Sequence, residues 1–422
     1  MPSRHTLLAS VTAATLFGAA AAGGCASGPP RGAVTTVASR SPVTQPPSST
    51  TSSPSTTASG PVTPTRSASP TVTAPAPDPA RTALARMTLA QRVGQLFMVG
   101  SPATSASPAT LAAVSRLHVG NVMLTGRSWA GTAVPARTAR ALRAAATAGG
   151  VGMFVATDQE GGQVQVLHGP GLSTLPGALS QGGMAPARLQ ALAAAWGRQL
   201  RAAGVNLDLA PVLDVVPGAA AARTNPPIGV LGREYGYTPA TVTGHGLAFA
   251  AGMRSTGVAV AVKHFPGLGR VHQNTDTEAS VTDRVTTRHD PFLAPFAAAV
   301  RAGAPFVMMS TATYARVDPS RPAAFSPTVI GGMLRQDLGF GGVVISDDLA
   351  NARQVSAWTP GARAVGFLAA GGNMVLVVDA APVAAMQRAV LARASADPAF
   401  RAKVDAAALR VLRAKAAAHL LP

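Results

Sequence analysis

Residues 325–349, FSPTVIGGMLRQDLGFGGVVISDDL, contain the pattern that decides the fold. The pattern predicts a helix over residues 326–338 and then a short β-branched strand over 342–346, which ends in Asp347 and Asp348. A buried strand that follows a helix is typical of one unit in a repeated β/α architecture. This stretch therefore indicates an α/β protein.

The rest of the chain repeats this unit from about residue 82 onward. Eight strands are predicted, at residues 95–100, 120–125, 153–157, 206–213, 258–263, 305–310, 342–346 and 374–378. Helices are predicted at residues 131–149, 184–203, 239–254, 291–302, 326–338, 359–370 and 381–418. Eight such strands predict a single closed (β/α)8 barrel of the TIM type, with its active site where the strands end. An open doubly wound sheet is the alternative, but no GxGxxG motif follows the first predicted strand.

The N-terminal part of the chain has a different composition. Residues 1–25 have a basic start, an apolar run and two glycines before Cys25, which is typical of an export signal of the bacterial lipoprotein type. Cys25 is the only cysteine, so no internal disulfide forms, and its position predicts lipidation. An ordinary cleaved signal and an uncleaved anchor are the alternatives. Residues 26–80, rich in Ser, Thr and Pro, predict a disordered linker, and residues 81–422 the barrel domain. We expect an exported protein, lipid-anchored on the outer face of the cell membrane or partly secreted.

The net charge of +18 invites a nucleic-acid function, but its distribution excludes one. The basic residues are dispersed, with no run of five and no interleaved aromatic side chains, so no nucleic-acid partner is expected. The eight histidines show no HxH or HExxH spacing, so neither a metal nor another cofactor is expected. We expect a monomer.

Acidic residues are few, and they gather where predicted strands end. Six of the 17 in the chain follow a predicted strand: Asp158, Glu160, Asp214, Asp347, Asp348 and Asp379. Carboxylates at the catalytic rim of a barrel suit chemistry on a neutral polyol, because they bind hydroxyls and stabilise positive charge. The sequence therefore favours a carbohydrate substrate.

Six motifs occur in order along the folded part of the chain. They are MTLAQRVGQLFMVG at 87–100, TDQEGGQVQ at 157–165, LAPVLDV at 209–215, GREYG at 232–236, KHFPGLG at 263–269 and the stretch at 325–349. Together they resemble the family-3 glycoside hydrolases, specifically the single-domain β-N-acetylhexosaminidases of bacterial cell-wall recycling. The resemblance covers residues 84–380. It implies a barrel enzyme that acts on carbohydrate.

The resemblance also implies roles for individual residues. Asp347, the first Asp of the SDD motif, corresponds to the nucleophile, which in a retaining glycosidase forms and releases a glycosyl ester. From the residues alone, an SDD at a strand end equally predicts a helix cap, a role we assign to Asp348. Lys263 and His264 correspond to donors to sugar hydroxyls, Asp158 to an acceptor for hydroxyls of the terminal sugar, and Arg233 to a further sugar ligand. Asp214 is expected to brace rim backbone.

One departure from the family concerns the acid that protonates the leaving group. The resembled enzymes carry an Asp-Ser-His triplet after KHFPG, whereas this chain has Asn274-Thr275-Asp276 at the same offset. Asp276 can itself be the acid, as the carboxylic acids of most glycosidases are. Glu278 or His272 on the same loop is the second alternative, and a weakened or lost acid function is the third.

We expect an exported retaining hydrolase that releases terminal β-linked N-acetylglucosamine from cell-wall fragments or related glycosides. Two alternatives stay open. A surface-anchored glycan-binding protein with reduced turnover would explain the altered triplet. A β-glycosidase of other hexose specificity would explain Gln163 and Val166, which stand where the family pattern has arginines. Thr311 stands where the family often has His and is a further departure on the leaving-group side.

Overall fold

The computed structural model describes residues 78–147 and 149–422. The predicted signal peptide, Cys25 and the predicted linker up to residue 77 lie outside the described residues. The first helix begins at Pro79, two residues before the predicted domain start, and the Asp78 side chain caps it by accepting from the backbone N–H groups of Ala80 and Arg81. Within the described ranges, no helix is both long and apolar enough to cross a membrane.

Eight parallel strands form one sheet that closes into a barrel. They are β1 (Phe97–Pro102), β2 (Asn121–Thr125), β3 (Phe154–Thr157), β4 (Leu207–Asp208), β5 (Ala259–Phe265), β6 (Phe306–Met309), β7 (Val343–Ser346) and β8 (Val375–Val377). The order β7-β6-β5-β4-β3-β2-β1-β8 is parallel throughout. A parallel bridge between Ile345 and Met374 joins the two ends of the sheet. The predicted (β/α)8 barrel is confirmed.

Helices surround the barrel and start at recognisable sequence positions. They are α1 (Pro79–Arg86), α2 (Leu89–Gln95), α3 (Pro108–Arg116), α4 (Ala133–Ala144), α5 (Pro186–Ala202), α6 (Pro239–Arg254), α7 (Ala294–Arg301), α8 (Thr328–Asp337, wound as a π-helix), α9 (Pro360–Ala369), α10 (Val383–Ala396) and α11 (Pro398–Ala417). At α1, α3, α6, α9 and α11 an Asp, Ser or Thr caps the first turn and Pro follows it. Proline suits this place because the first turn leaves its N–H groups unpaired in any case.

Two predicted elements differ from the structure. The single helix predicted over residues 381–418 is wrong, because Asp397 leaves the helical conformation and caps a new helix that starts at Pro398. The strand predicted over residues 206–213 pairs as a ladder only at Leu207–Asp208, since Pro211 has no N–H to donate. The prediction also missed α3 between the first two strands.

The barrel core and its rim have different compositions. The strand side chains are buried, as parallel strands covered on both faces require, and β7 reads Val-Val-Ile-Ser without exposure. The loops at the carboxyl ends carry small extra strands. A hairpin of Gln159–Gly161 and Val164–Gln165 follows β3, and Thr282–Asp283, Thr313–Tyr314 and Asp318–Pro322 form a three-stranded sheet. These loops build the site described next.

Candidate active site

A cavity of about 360 Å³ opens at the carboxyl ends of the barrel strands. It gathers every predicted catalytic and substrate-binding side chain: Asp158, Arg233, Lys263, His264, Asp276 and Asp347. The volume is at the lower end of the range of about 300–1,000 Å³ that is usual for ligand pockets. A groove of the same volume runs between Pro79 and Pro422, but no Asp or Glu side chain lines it. The rim cavity is therefore the candidate active site.

Lys263 at the end of β5 occupies the centre of an ionic cluster. Its Nζ donates to Asp158 Oδ1 at 2.6 Å and lies 2.6 Å from Glu160 Oε1. Arg233 binds Glu160 with two hydrogen bonds, from Nε at 2.8 Å and from Nη2 at 2.7 Å. Burial by itself raises the pKa of Glu160, but the charges of Arg233 and Lys263 outweigh burial and lower the pKa to about 2. Glu160 therefore stays ionised and orients both cations towards the cavity.

His264 is oriented by a buried carboxylate. Its Nδ1 donates to Asp214 Oδ2 at 2.7 Å, and Asp214 Oδ1 accepts from the backbone N–H groups of His264 and Leu268. Asp214 is fully buried, and its hydrogen bonds tie the segment after β4 to β5 and to the turn that follows β5. With Nδ1 engaged, the Nε2 atom lies on the side of Arg233, at 3.5 Å from Nη2.

The two aspartates after β7 have different surroundings. Asp348 Oδ1 accepts from the backbone N–H groups of Ala350 and Val378, and its Oδ2 accepts from Asn351. These bonds cap the loop and tie it to β8, while burial raises the pKa of Asp348. The Asp347 Oδ1 atom accepts from the Asp348 N–H at 2.9 Å, and the half-buried carboxylate forms part of the cavity wall.

The loop that carries Asp276 is docked on the short 3-10 helix Arg353–Val355. The N–H of Arg353 donates to the Asp276 carbonyl at 3.1 Å, and the N–H of Gln354 donates to the Thr275 carbonyl at 3.0 Å. The buried Gln354 side chain bonds both backbone groups of Val281, at 2.7 Å and 3.2 Å. Both arms of the loop are therefore attached to one element.

The Asp276 carboxyl has an altered affinity for protons. Its pKa is raised to about 6, first by burial of the carboxyl and then by the negative charge of Asp347. The residue as a whole is exposed at the cavity mouth. His264 and Arg233 act in the opposite direction and keep the pKa from rising further. A carboxyl that retains its proton near neutral pH is suited to general acid catalysis.

The structure does not bring the other two candidates for the acid to the cavity. Glu278 and His272 are both exposed, and neither lines the cavity. His272 lines a separate groove, where its Nδ1 lies 3.2 Å from the Thr224 carbonyl oxygen. The geometry therefore favours Asp276 over Glu278 and His272.

Sequence reasoning missed two functional carboxyls and one amide. Glu160 was counted at the rim but given no part in the ionic cluster. Asp208 is fully buried in β4, where its Oδ1 accepts from Gln159 N–H, and burial raises its pKa to about 8. An Asp inside an otherwise apolar strand was a usable indication. Gln354 has no motif around it, and only its contacts with the Asp276 loop identify it.

The structure also places the residues that depart from the family pattern. Gln163 is exposed outside the cavity wall and Val166 is buried, while Val164 between them lines the cavity. Thr311 is fully buried. Across the described parts of the chain, no group of three or more His, Cys, Asp or Glu side chains is arranged to hold a metal ion.

Comparisons with known proteins agree with this geometry. A family model described as the glycosyl hydrolase family 3 N-terminal domain matches residues 88–414. The β-hexosaminidase of Stenotrophomonas maltophilia K279a is 37% identical over 267 residues, which are 61% of this chain and 76% of that protein. The β-N-acetylhexosaminidase structure from Beutenbergia cavernae is 55% identical with a TM-score of 0.78, over 79% of this chain and 99% of that one. The β-N-acetylglucosaminidase structure from Paenibacillus is 32% identical with a TM-score of 0.73, and the match covers 79% of this chain and 63% of that one.

Proposed function

Because this chain belongs to glycosyl hydrolase family 3 and is a glycosidase, we propose that it is a retaining β-N-acetylhexosaminidase. In this proposal it releases terminal β-linked N-acetylglucosamine from cell-wall fragments or related glycosides. The observation that carries the proposal is the pair of carboxyls, Asp347 and Asp276, that line one small cavity beside a fixed set of cations. Hexosaminidases at moderate to high identity support the choice of sugar.

The ionic cluster supplies the binding of the terminal sugar. Lys263 and Arg233 present N–H donors to sugar hydroxyls, and Asp158 presents an acceptor. Because Glu160 is ionised and contacts both cations, they are held in place before the sugar arrives. Binding energy then goes into orienting the anomeric carbon over Asp347.

The chemistry divides between the two remaining carboxyls. In the first step Asp347 attacks the anomeric carbon, the glycosidic bond breaks, and the Asp276 proton goes to the leaving oxygen. In the second step Asp276, now ionised, takes a proton from water, which attacks the anomeric carbon and releases the Asp347 carboxylate. Two inversions give net retention of the anomeric configuration.

The test compares Asp347→Asn with Asp379→Asn on an aryl N-acetyl-β-glucosaminide. Asp379 is a matched control because it also follows a strand, is exposed, and only caps Ala381 N–H outside the cavity. We expect the Asp347 variant to lose about a thousandfold or more in kcat, and the control to keep the wild-type rate. NMR of the first-formed sugar should show the β-anomer. Full activity of the Asp347 variant would overturn the nucleophile assignment.

The altered triplet bears on how fast this glycosidase turns over, and a comparison of two substrates tests it. A weakened acid would leave fast cleavage of the activated aryl substrate and slow cleavage of an N-acetylglucosamine disaccharide. A panel of aryl β-glycosides tests hexose specificity, and faster turnover of the glucoside or galactoside than of the N-acetylglucosaminide would replace the proposed sugar.

We also propose that the chain is exported and anchored to the outer face of the cell membrane through a lipidated Cys25. The sequence pattern at residues 1–25 supports this proposal. Fractionation of cells that carry the wild type or Cys25→Ala tests it. The wild type should be in the membrane fraction, and the variant should leave it; an unchanged distribution would count against lipidation.

A further inference from the structure

Trp129 in the loop after β2 is a large aromatic side chain left open to solvent. It is 68% exposed, and its ring stacks on His168 with centroids 4.2 Å apart and 19° between the ring planes. His168 is itself buried, and its Nε2 donates to the Gln165 carbonyl at 2.8 Å. One face of the indole therefore rests on a fixed imidazole.

The backbone beneath Trp129 is held as firmly as the ring. Ser128 N–H donates to Val166 O at 2.9 Å, and His168 N–H donates back to Ser128 O at 2.8 Å. Gly131 N–H donates to His168 O at 3.0 Å. A ligand that stacks on Trp129 would therefore find the ring already positioned, and little ordering entropy would oppose binding.

This aromatic platform, Trp129 on His168, adjoins the candidate active site. Arg127 Nη2 donates to the Gln163 carbonyl at 2.8 Å, and the next residue, Val164, lines the cavity. Met123 in β2 lines the same cavity, so the loop that carries Trp129 leaves the barrel at the carboxyl ends of the strands, where the cavity opens. Trp129 thus lies on the catalytic face.

We propose that Trp129 stacks against the sugar that follows the scissile bond, on the leaving-group side, with Arg127 as a flanking donor to its hydroxyls. The inference rests on the proposed function, which puts the terminal sugar in the cavity and therefore the rest of an oligosaccharide beyond it. A hexose ring has an apolar C–H face and a polar edge, which match an indole face and a guanidinium beside it. The ligand is a neutral β-linked oligosaccharide.

The test measures kcat/KM for a soluble N-acetylglucosamine tetramer and for N-acetyl-β-glucosaminyl fluoride, whose leaving group is a single atom and carries neither a second sugar nor an aromatic ring. In Trp129→Ala the ratio of tetramer to fluoride kcat/KM should fall about twofold to tenfold, the effect of losing one aromatic stacking contact. Trp129→Phe should recover part of the ratio. Val285→Ala is the matched control, since Val285 is another exposed apolar side chain, 50% exposed, and it lines a different groove.

The outcomes separate the inference from the function on which it rests. If the wild type is active on both substrates and the ratio is unchanged in Trp129→Ala, the proposed role of Trp129 is wrong, whereas the proposed hydrolase function stands. If the wild type cleaves neither substrate, the proposed function fails, and calorimetric titration of the tetramer into the wild type and Trp129→Ala then decides the platform. Equal affinity in that titration would overturn it.

Discussion

Replacing Asp276 by Ala should slow the cleavage of natural glycosides far more than that of activated ones. The raised pKa of Asp276 determines how much of the protein has the acid in its protonated form. With a pKa of about 6, about a tenth of the molecules carry the proton on Asp276 at pH 7. With the ordinary pKa of an Asp, fewer than about one molecule in a thousand would carry it. General acid catalysis commonly contributes about 10²- to 10⁴-fold. We expect kcat/KM to fall by that factor on an N-acetylglucosamine disaccharide. On a dinitrophenyl N-acetylglucosaminide, whose leaving group needs no proton, we expect kcat/KM to fall less than about tenfold.

The same residue should determine the pH dependence. Because the acid must be protonated, kcat/KM on the disaccharide should fall above about pH 6, by about tenfold per pH unit, as Asp276 ionises. The charge of Asp347 is one cause of the raised pKa. Once Asp347 carries the sugar as a neutral ester that cause is gone, so the pKa of Asp276 drops and the residue becomes the base of the second step.

The assay compares the wild type, Asp276→Ala and Glu278→Ala on both substrates from pH 4 to 8, with azide added to the Asp276 variant. Without Asp276 the second step lacks a base, so kcat on the dinitrophenyl substrate should also fall. Azide needs no base and should restore this kcat by replacing water, and the product should be a β-glycosyl azide. Glu278→Ala is the control, because Glu278 does not line the cavity. Equal losses on the two substrates, or a wild-type alkaline limb in Asp276→Ala, would refute the assignment of Asp276 as the acid.

Two further predictions concern groups outside the reacting pair. Lys415 is fully buried, and burial lowers its pKa to about 7. Between about pH 7 and 10 the unfolded chain therefore binds one more proton at this residue than the folded chain does. The free energy of unfolding should then rise with pH by about 1.4 kcal/mol per pH unit from Lys415. Lys415→Met should remove that slope in urea titrations, and equal slopes in both proteins would contradict the prediction. Gln354→Ala frees the loop that carries Asp276, so kcat on the disaccharide should fall about tenfold, with a smaller change on the dinitrophenyl substrate. Gln354→Glu keeps an acceptor for Val281 N–H and should recover part of kcat on the disaccharide. Equal losses on the two substrates would count against a positioning role.

The barrel could be predicted because each of its strands is a short apolar run that needs no partner information. The helix break at Asp397-Pro398 was also visible in the sequence, since the same cap-and-proline pair opens four other helices. What local patterns could not show is which side chains meet across the barrel. Glu160 is 73 positions from Arg233 and 103 from Lys263 in the sequence, and it reaches both only because the loop after β3, the segment after β4 and the end of β5 meet at the same rim.

The position of the loop that carries Asp276 also determines the pKa of the Asp276 carboxyl. Asp214 and His264 form a carboxylate–imidazole pair, and its imidazole lies beside Arg233, which the proposed mechanism assigns to binding of the terminal sugar. On the leaving-group side, the same mechanism gives the work of such a pair to the single carboxyl of Asp276, which retains its proton partly because Asp347 is near. A loop that moved away would expose Asp276 to water and to less of that charge, and its pKa would return towards the ordinary value. The hydrogen bonds from Arg353 and Gln354 therefore set both the reach of the acid and its protonation.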